Sequence, residues 1–129
     1  METDLPYKID TQRRLCIKKD LIELSQWIDM LSTINDELDL LKIIEKQLLK
    51  TSRIEANLQA LRRKNTLIMG VLCKYEQELN KEYEYGKREY DIIRAKEHEK
   101  KRDIYSVLIQ EFFQLKKMIY HNLSKYQRG

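Results

Sequence analysis

The sequence predicts an all-α protein of long helices, arranged as an extended coiled coil or a helical bundle. Its 129 residues include one proline and three glycines, so residues that favour turns are scarce. Charged residues make up 36% of the chain, and straight-chain residues such as Lys, Glu and Leu favour helices. Apolar residues also recur at spacings of three and four, as they do along one face of a helix.

The first predicted helix covers residues 9–50, after a flexible segment at residues 1–8, and is acidic and amphipathic. Its apolar residues follow the heptad spacing of a coiled-coil seam, with Glu45 as the gap. They are Leu24, Trp27, Leu31, Ile34, Leu38, Leu41 and Leu48. Because Ile22, Leu40 and Ile43 widen this stripe, we expect a bundle of three or more helices.

A break near Lys50 to Arg53 would turn the chain into a helical hairpin. The second seam begins at Ile54, one residue out of phase with the first. Ser52 and Glu55 have the spacing of a capping box, which is typical of a helix start. The alternative is a continuous helix that absorbs the phase change as a local change of supercoil.

The second predicted helix is a coiled-coil segment at residues 52–103. Its seam consists of Ile54, Leu58, Leu61, Ile68, Leu72, Tyr75 and Leu79. Asn65 also falls at a core position, where a buried amide can specify register. The interpretation we favour is that Asn65 faces water because the phase differs locally.

Three tyrosines lie in the charged stretch NKEYEYGKREYD at residues 80–91. Tyr83 and Tyr90 continue the stripe of Tyr75, Leu79 and Ile93, whereas Tyr85 lies off it. Tyrosine suits a surface that is buried at the ring and wet at the hydroxyl. We therefore predict that the tyrosines pack between helices and do not stack on nucleic-acid bases.

The charged run RAKEHEKKRD, residues 94–103, is predicted to be a solvated spacer or a hinge, because it has no large aliphatic residue. An apolar C-terminal helix follows at residues 104–126. Its stripe consists of Ile104, Leu108, Phe112, Leu115, Ile119, Leu123 and Tyr126. So much apolar surface on one helix favours association.

No residue pattern predicts chemistry, and we expect no enzyme, no catalytic residue, no cofactor and no metal. His98 and His121 are far apart, and neither has a Cys or a second His at ligand spacing. Cys16 and Cys73 form no CxxC pair, which favours an intracellular location. No apolar run reaches the roughly 20 residues of a membrane span.

The charge is uneven, but it does not favour direct nucleic-acid binding. Residues 1–51 carry 8 basic and 10 acidic side chains, and residues 52–129 carry 17 and 11. Basic clusters occur at residues 62–64 and 100–102, yet acids are interleaved with them. Phosphate contacts need uncompensated positive charge.

These observations predict a non-enzymatic structural subunit or adaptor that assembles with other coiled-coil proteins, as a hetero-oligomer rather than a homodimer. The predicted interface is the seam of the first two segments together with Leu108, Phe112, Leu115 and Ile119. In composition the chain resembles small subunits of centrosomal, ciliary, kinetochore or meiotic assemblies, which suggests the cytoplasm, the cytoskeleton or the nucleus. The alternatives are a chromosome-associated assembly protein, a homo-oligomeric rod, and a basic filament or nucleic-acid binder.

Overall fold

Three long helices make up most of the described chain. The structure is a computed structural model that describes residues 4–125. Helix α1 spans Asp4–Ile44 and continues into a π-helical turn at Glu45–Leu49. Helix α2 spans Ser52–Tyr85, and helix α3 spans Ile92–Ser124. The described residues contain no strand, and the predicted all-α fold is confirmed.

The helices form an up-down-up bundle. Arg13, near the start of α1, donates to the carbonyl oxygen of Glu82, near the end of α2, at 2.5 Å, so these two helices are antiparallel. Lys116, near the end of α3, donates to Glu37 in the second half of α1 at 2.9 Å, so α3 runs parallel to α1. Lys64 on α2 pairs with Glu111 on α3, so each helix contacts the other two, as expected of a three-helix bundle.

The predicted break after the first helix is confirmed, and the alternative of one continuous helix is wrong. Lys50 is left-handed, with φ 49° and ψ 43°, and its N–H donates to the Glu45 carbonyl oxygen at 2.7 Å. Thr51 is extended, and α2 begins at the next residue. The left-handed residue ends the π-helical turn and reverses the chain, which accounts for the phase change between the two seams.

The predicted capping box does not form, because Thr51 is the N-cap of α2 and Ser52 is already helical. The Thr51 carbonyl oxygen accepts the N–H of Glu55 at 3.1 Å. The Thr51 hydroxyl donates to the carbonyl oxygen of Leu49 at 3.2 Å, outside the helix it precedes.

A second break corrects the predicted helix at residues 52–103. Helix α2 ends at Tyr85, and α3 begins at Ile92 instead of residue 104. A Cβ on Gly86 would lie 2.6 Å from the Glu82 carbonyl oxygen, so a larger residue requires a shift here. Asp91 then starts α3, since its carboxylate accepts the N–H of Arg94 at 3.0 Å.

The predicted flexible segment at residues 1–8 is also corrected, because α1 begins at Asp4. Pro6 lies in the first turn, where a helix needs no backbone N–H from it. Residues 1–3 and the predicted seam residue Tyr126 lie outside the described part of the chain. Within that part, no helix has a stretch apolar enough and long enough to cross a membrane.

Candidate functional site

The predicted interface residues form the core between the chain's own helices. All of them are buried except Leu48, which is exposed on the π-helical turn, and Ile68, which is half-buried. Their contact with other chains stays a prediction. In this fold the chain reverses direction twice, so its own helices cover one another's seams. A partner that binds the folded bundle must therefore use a different surface.

An apolar groove lies between α2 and α3 at the surface of the bundle. This α2/α3 groove encloses about 430 Å³ and is lined by Lys64, Leu67, Ile68, Asp103, Ile104, Val107, Leu108 and Glu111. Leu67 is 70% exposed and Val107 is 54% exposed. Ile104, predicted to lie on the seam of the last helix, lines this groove instead and is 41% exposed.

The α2/α3 groove continues into a second cavity of about 400 Å³, which extends to Asn57 and Met118. The side chains of Lys64 and Glu111 line both cavities, and their 2.8 Å ion pair joins the two helices at that point. At the other end of the groove, Asp103 is exposed and has no salt bridge to any described residue. The α2/α3 groove thus has an apolar floor of Leu67, Ile68, Ile104 and Val107, with the Lys64–Glu111 ion pair at one end and an available carboxylate at the other.

In contrast to the apolar groove at the surface, the interior of the bundle contains a polar layer. This layer is composed of Asp20, Glu23, Tyr75, Tyr90, Arg94 and His98. His98 is buried, and its ring stacks on Trp27 with 5.0 Å between the centroids. Its Nε2 donates to Glu23 Oε1 at 2.7 Å, and its Nδ1 is hydrogen-bonded to the Tyr75 hydroxyl at 2.8 Å. All three helices therefore meet at this imidazole.

Asp20 and Arg94 complete the polar layer. Asp20 accepts a hydrogen bond from the Tyr90 hydroxyl, and Arg94 makes a 2.7 Å ion pair with Glu82. Burial, followed by the hydrogen bond to Asp20, raises the pKa of Tyr90. Burial also raises the pKa of Tyr75, with the nearby Asp20 charge adding to it. Both hydroxyls therefore stay protonated and available as donors.

Glu23 connects the polar layer to the surface through Arg102. The guanidinium donates from Nε to Glu23 Oε2 at 3.0 Å and from Nη2 to Oε1 at 2.7 Å. This pair of hydrogen bonds lowers the pKa of Glu23, with a smaller contribution from the bond to His98. Glu23 is thus an ionised acceptor shared by an arginine and a histidine.

The polar layer corrects the prediction that residues 94–103 are a solvated spacer, since Arg94 and His98 are buried within them. The spacing of three and four could have revealed this. Stepping back from Leu108 in heptad register gives Tyr105, Lys101, His98 and Arg94, and stepping back from Leu24 gives Asp20, Ile17 and Arg13. These seam positions were missed because several of them carry charged side chains.

The tyrosines and Asn65 test the predicted stripes. Tyr83 and Tyr90 pack against the core and Tyr85 is 83% exposed, as predicted. Ile93 is exposed, so its predicted place on the stripe is wrong; it follows the second break and enters a new helix. The favoured orientation of Asn65 is also wrong, because this side chain is buried and donates to the Leu31 carbonyl oxygen at 3.1 Å.

The basic clusters are partly neutralised by acids on neighbouring helices. Arg62 pairs with Asp39, and Lys64 pairs with Glu111. Arg102 pairs with Glu23, while the ammonium group of Lys101 lies 5.2 Å from the centre of the Tyr75 ring. Such pairing reduces the positive charge that phosphates could neutralise.

Comparison of the chain with protein-family models, with curated proteins and with solved structures gave no match. The α2/α3 groove and the polar layer are the two features of the described residues that bear on function.

Proposed function

We propose that this protein is a non-enzymatic helical adaptor that binds one amphipathic helix of another protein in the α2/α3 groove. The observation that supports the proposal is the exposure of Leu67 and Val107 beside half-buried Ile68, on a bundle whose seams are otherwise covered. Contiguous apolar surface on a folded domain commonly marks an interaction site.

The dimensions of the groove suit a short helix. The α2 residues that line the groove and the adjoining cavity run from Asn57 to Ile68, a rise of about 17 Å or roughly three turns. A helix laid along the groove would present aliphatic residues at positions i, i+3 or i+4 and i+7, as in other helix-in-groove complexes. A lysine or arginine at the end near Asp103 would complement the available carboxylate, whose pairing adds specificity.

A partner of different sequence fits this groove better than a second copy does. Stable homodimers generally bury about 800 Å² or more on each subunit. The groove uses only about three turns of helices that contain 34 and 33 residues. Binding one helix requires no more than this length, whereas a symmetric dimer needs apolar surface that extends well beyond it.

The experiment compares capture by the full chain with capture by groove variants. A photo-crosslinking residue at Leu67 labels bound protein in cell extract, and mass spectrometry identifies the crosslinked segment. We expect a segment with an apolar helical stripe, and we expect Leu67→Lys and Val107→Lys each to reduce its capture at least tenfold. The purified segment should gain helicity when it binds the unmodified protein.

Ile22→Lys and Leu40→Lys are the matched controls, because these side chains are 55% and 61% exposed but lie on α1. Equal loss of binding in the control and groove variants would overturn the proposal. A concentration-dependent dimer that Leu67→Lys disrupts, measured by light scattering, would assign the groove to a second copy instead. Location in a cytoskeletal, centrosomal, ciliary or chromosomal assembly stays a prediction from composition.

A further inference from the structure

We propose that Asp20, Glu23 and His98 form a binding site for one divalent transition-metal ion of the zinc class. The site connects α1 to α3 and is separate from the α2/α3 groove. Asp20 and Glu23 are three residues apart on α1, so they share one helix face. Helix α3 supplies the imidazole, 75 residues after Glu23.

The three side chains already converge on one point. One ligand atom from each lies within 4.8 Å of the others. His98 Nε2 is 3.5 Å from Asp20 Oδ1 and 2.7 Å from Glu23 Oε1. Metal–ligand bonds of about 2.0–2.2 Å in a tetrahedral site place ligand atoms about 3.4 Å apart. The Asp20–His98 pair has this separation, and the 2.7 Å Glu23–His98 pair has to lengthen for both side chains to bind one ion.

The neighbouring residues fix the ligands as the outer shell of a metal site does. When Nε2 binds the ion, the imidazole proton resides on Nδ1 and is donated to the Tyr75 hydroxyl oxygen, 2.8 Å away. The Tyr90 hydroxyl donates a hydrogen bond to Asp20 Oδ2. Asp20 Oδ1 has no hydrogen bond to a described residue, although the Asp20 side chain is only 9% exposed. This carboxylate oxygen lies 3.5 Å from Nε2.

An entrance and a remaining coordination position are also present. A cleft of about 460 Å³ reaches the site, and its lining includes Asp20, His98 and Arg102. Water entering from the cleft can fill the fourth position. Arg102 competes for Glu23, but the Arg102 side chain is 44% exposed and can rotate into solvent.

The donor set selects the class of ion. Imidazole nitrogen suits zinc and its neighbours in the first transition row, whereas magnesium and calcium prefer oxygen ligands throughout. Three protein ligands with one open position match four-coordinate zinc.

The test is calorimetric titration of the full chain with Zn²⁺, together with thermal unfolding followed by circular dichroism. We expect one ion per chain and a melting temperature that rises with zinc concentration, because binding to the folded state stabilises it. Glu23→Gln and His98→Gln should each weaken binding at least tenfold. Arg102→Gln should tighten binding, because it removes the competing cation, whereas a purely structural role of Glu23 predicts no such gain.

His121→Gln is the control, since this second histidine is exposed and far from the cluster in sequence. If His98→Gln does not fold, Glu23→Gln carries the test, because Glu23 is at the margin of the layer and an amide preserves its shape. Absence of saturable binding, unchanged affinity in Glu23→Gln, or no tightening in Arg102→Gln would each overturn the proposal. Loss of zinc binding in His121→Gln would also overturn it by assigning the ion to the surface.

Discussion

The two halves of the bundle use the same heptad seam in different ways. In the apolar half, which contains Leu31 to Leu41, Ile54 to Ile68 and Leu108 to Ile119, the seam is aliphatic and aromatic except for Asn65. In the polar half, at the other end of the bundle, the seam also holds Arg13, Asp20, Arg94 and His98. Both halves bury most of their seam side chains.

Stability and specificity come from different parts of this one bundle. Aliphatic packing is strong but non-directional, so it tolerates alternative registers. Hydrogen bonds have fixed partners and angles, and Glu82 binds both Arg13 and Arg94. We infer that the apolar half supplies most of the stability, and that the polar half selects the register in which α3 meets α1 and α2.

Phe112→Ala should produce the largest loss of stability, because it removes a fully buried ring from the apolar half. We expect the free energy of unfolding to fall by about 3–5 kcal/mol, measured by urea denaturation. The adjacent Phe113 is 54% exposed and is the control. A loss for Phe113→Ala as large as that for Phe112→Ala would contradict the assignment of the core face of α3.

Tyr75→Phe tests the polar half with a smaller change. The substitution keeps the ring but leaves His98 Nδ1 without its partner in a buried site, at an expected cost of about 1–3 kcal/mol. Tyr85→Phe, at a side chain exposed to solvent, should have an effect within about 0.5 kcal/mol. Equal stability of the Tyr75 and Tyr85 variants in urea would show that the hydrogen bond to His98 is not important for folding.

Asn65→Leu, in the apolar half, should stabilise the protein, unlike the two substitutions above. The Asn65 Oδ1 atom is buried without a hydrogen-bond partner, and this costs free energy. Leucine has a similar shape and should raise the free energy of unfolding by about 1 kcal/mol. If the variant is instead less stable than the parent protein, the hydrogen bond to the Leu31 carbonyl contributes more than the unpaired oxygen costs.

Glu23 should give the smallest effect, visible as a dependence on pH. Its pKa in the folded state is below its ordinary value because Arg102 hydrogen-bonds to the carboxylate. The stabilisation is therefore present above the unfolded pKa of about 4.3 and is lost as the pH falls through the lower folded pKa. Arg102→Gln should flatten the decline in stability below about pH 4.3, whereas Arg63→Gln should not. If the free energy of unfolding changes with pH in the same way in both variants, Arg102 does not stabilise the polar half through Glu23.

The sequence predicts the helices and most of the core, because burial of apolar residues follows a simple spacing. The run from Leu24 to Leu41 and the second seam from Ile54 onwards illustrate this, and the first break is visible as a change of phase. The polar layer is not predicted, because the partners of His98 are 75 residues away on α1 and 23 residues away on α2. Only the heptad spacing through Tyr105 and Lys101 places His98 on the seam, and its charged surroundings conceal this.

The second break is hidden in the sequence for a related reason. Gly86 and Asp91 are each weak signals, and together they end one helix and start the next. The α2/α3 groove is not visible in the sequence either, since Leu67 and Leu61 are the same residue type. Their different exposure depends on where α3 lies, and this is known only from the fold.

The short turn at Lys50 and Thr51 has a consequence for the order in which the chain folds. Helices α1 and α2 can pair after closing a loop of only about two residues, which costs little chain entropy. Contacts between α1 and α3, such as Glu23 with Arg102, join residues 79 apart and must close a much longer loop. We therefore expect the α1–α2 hairpin to form early and α3 to dock last, so that contacts of α3 contribute mainly to the rate of unfolding.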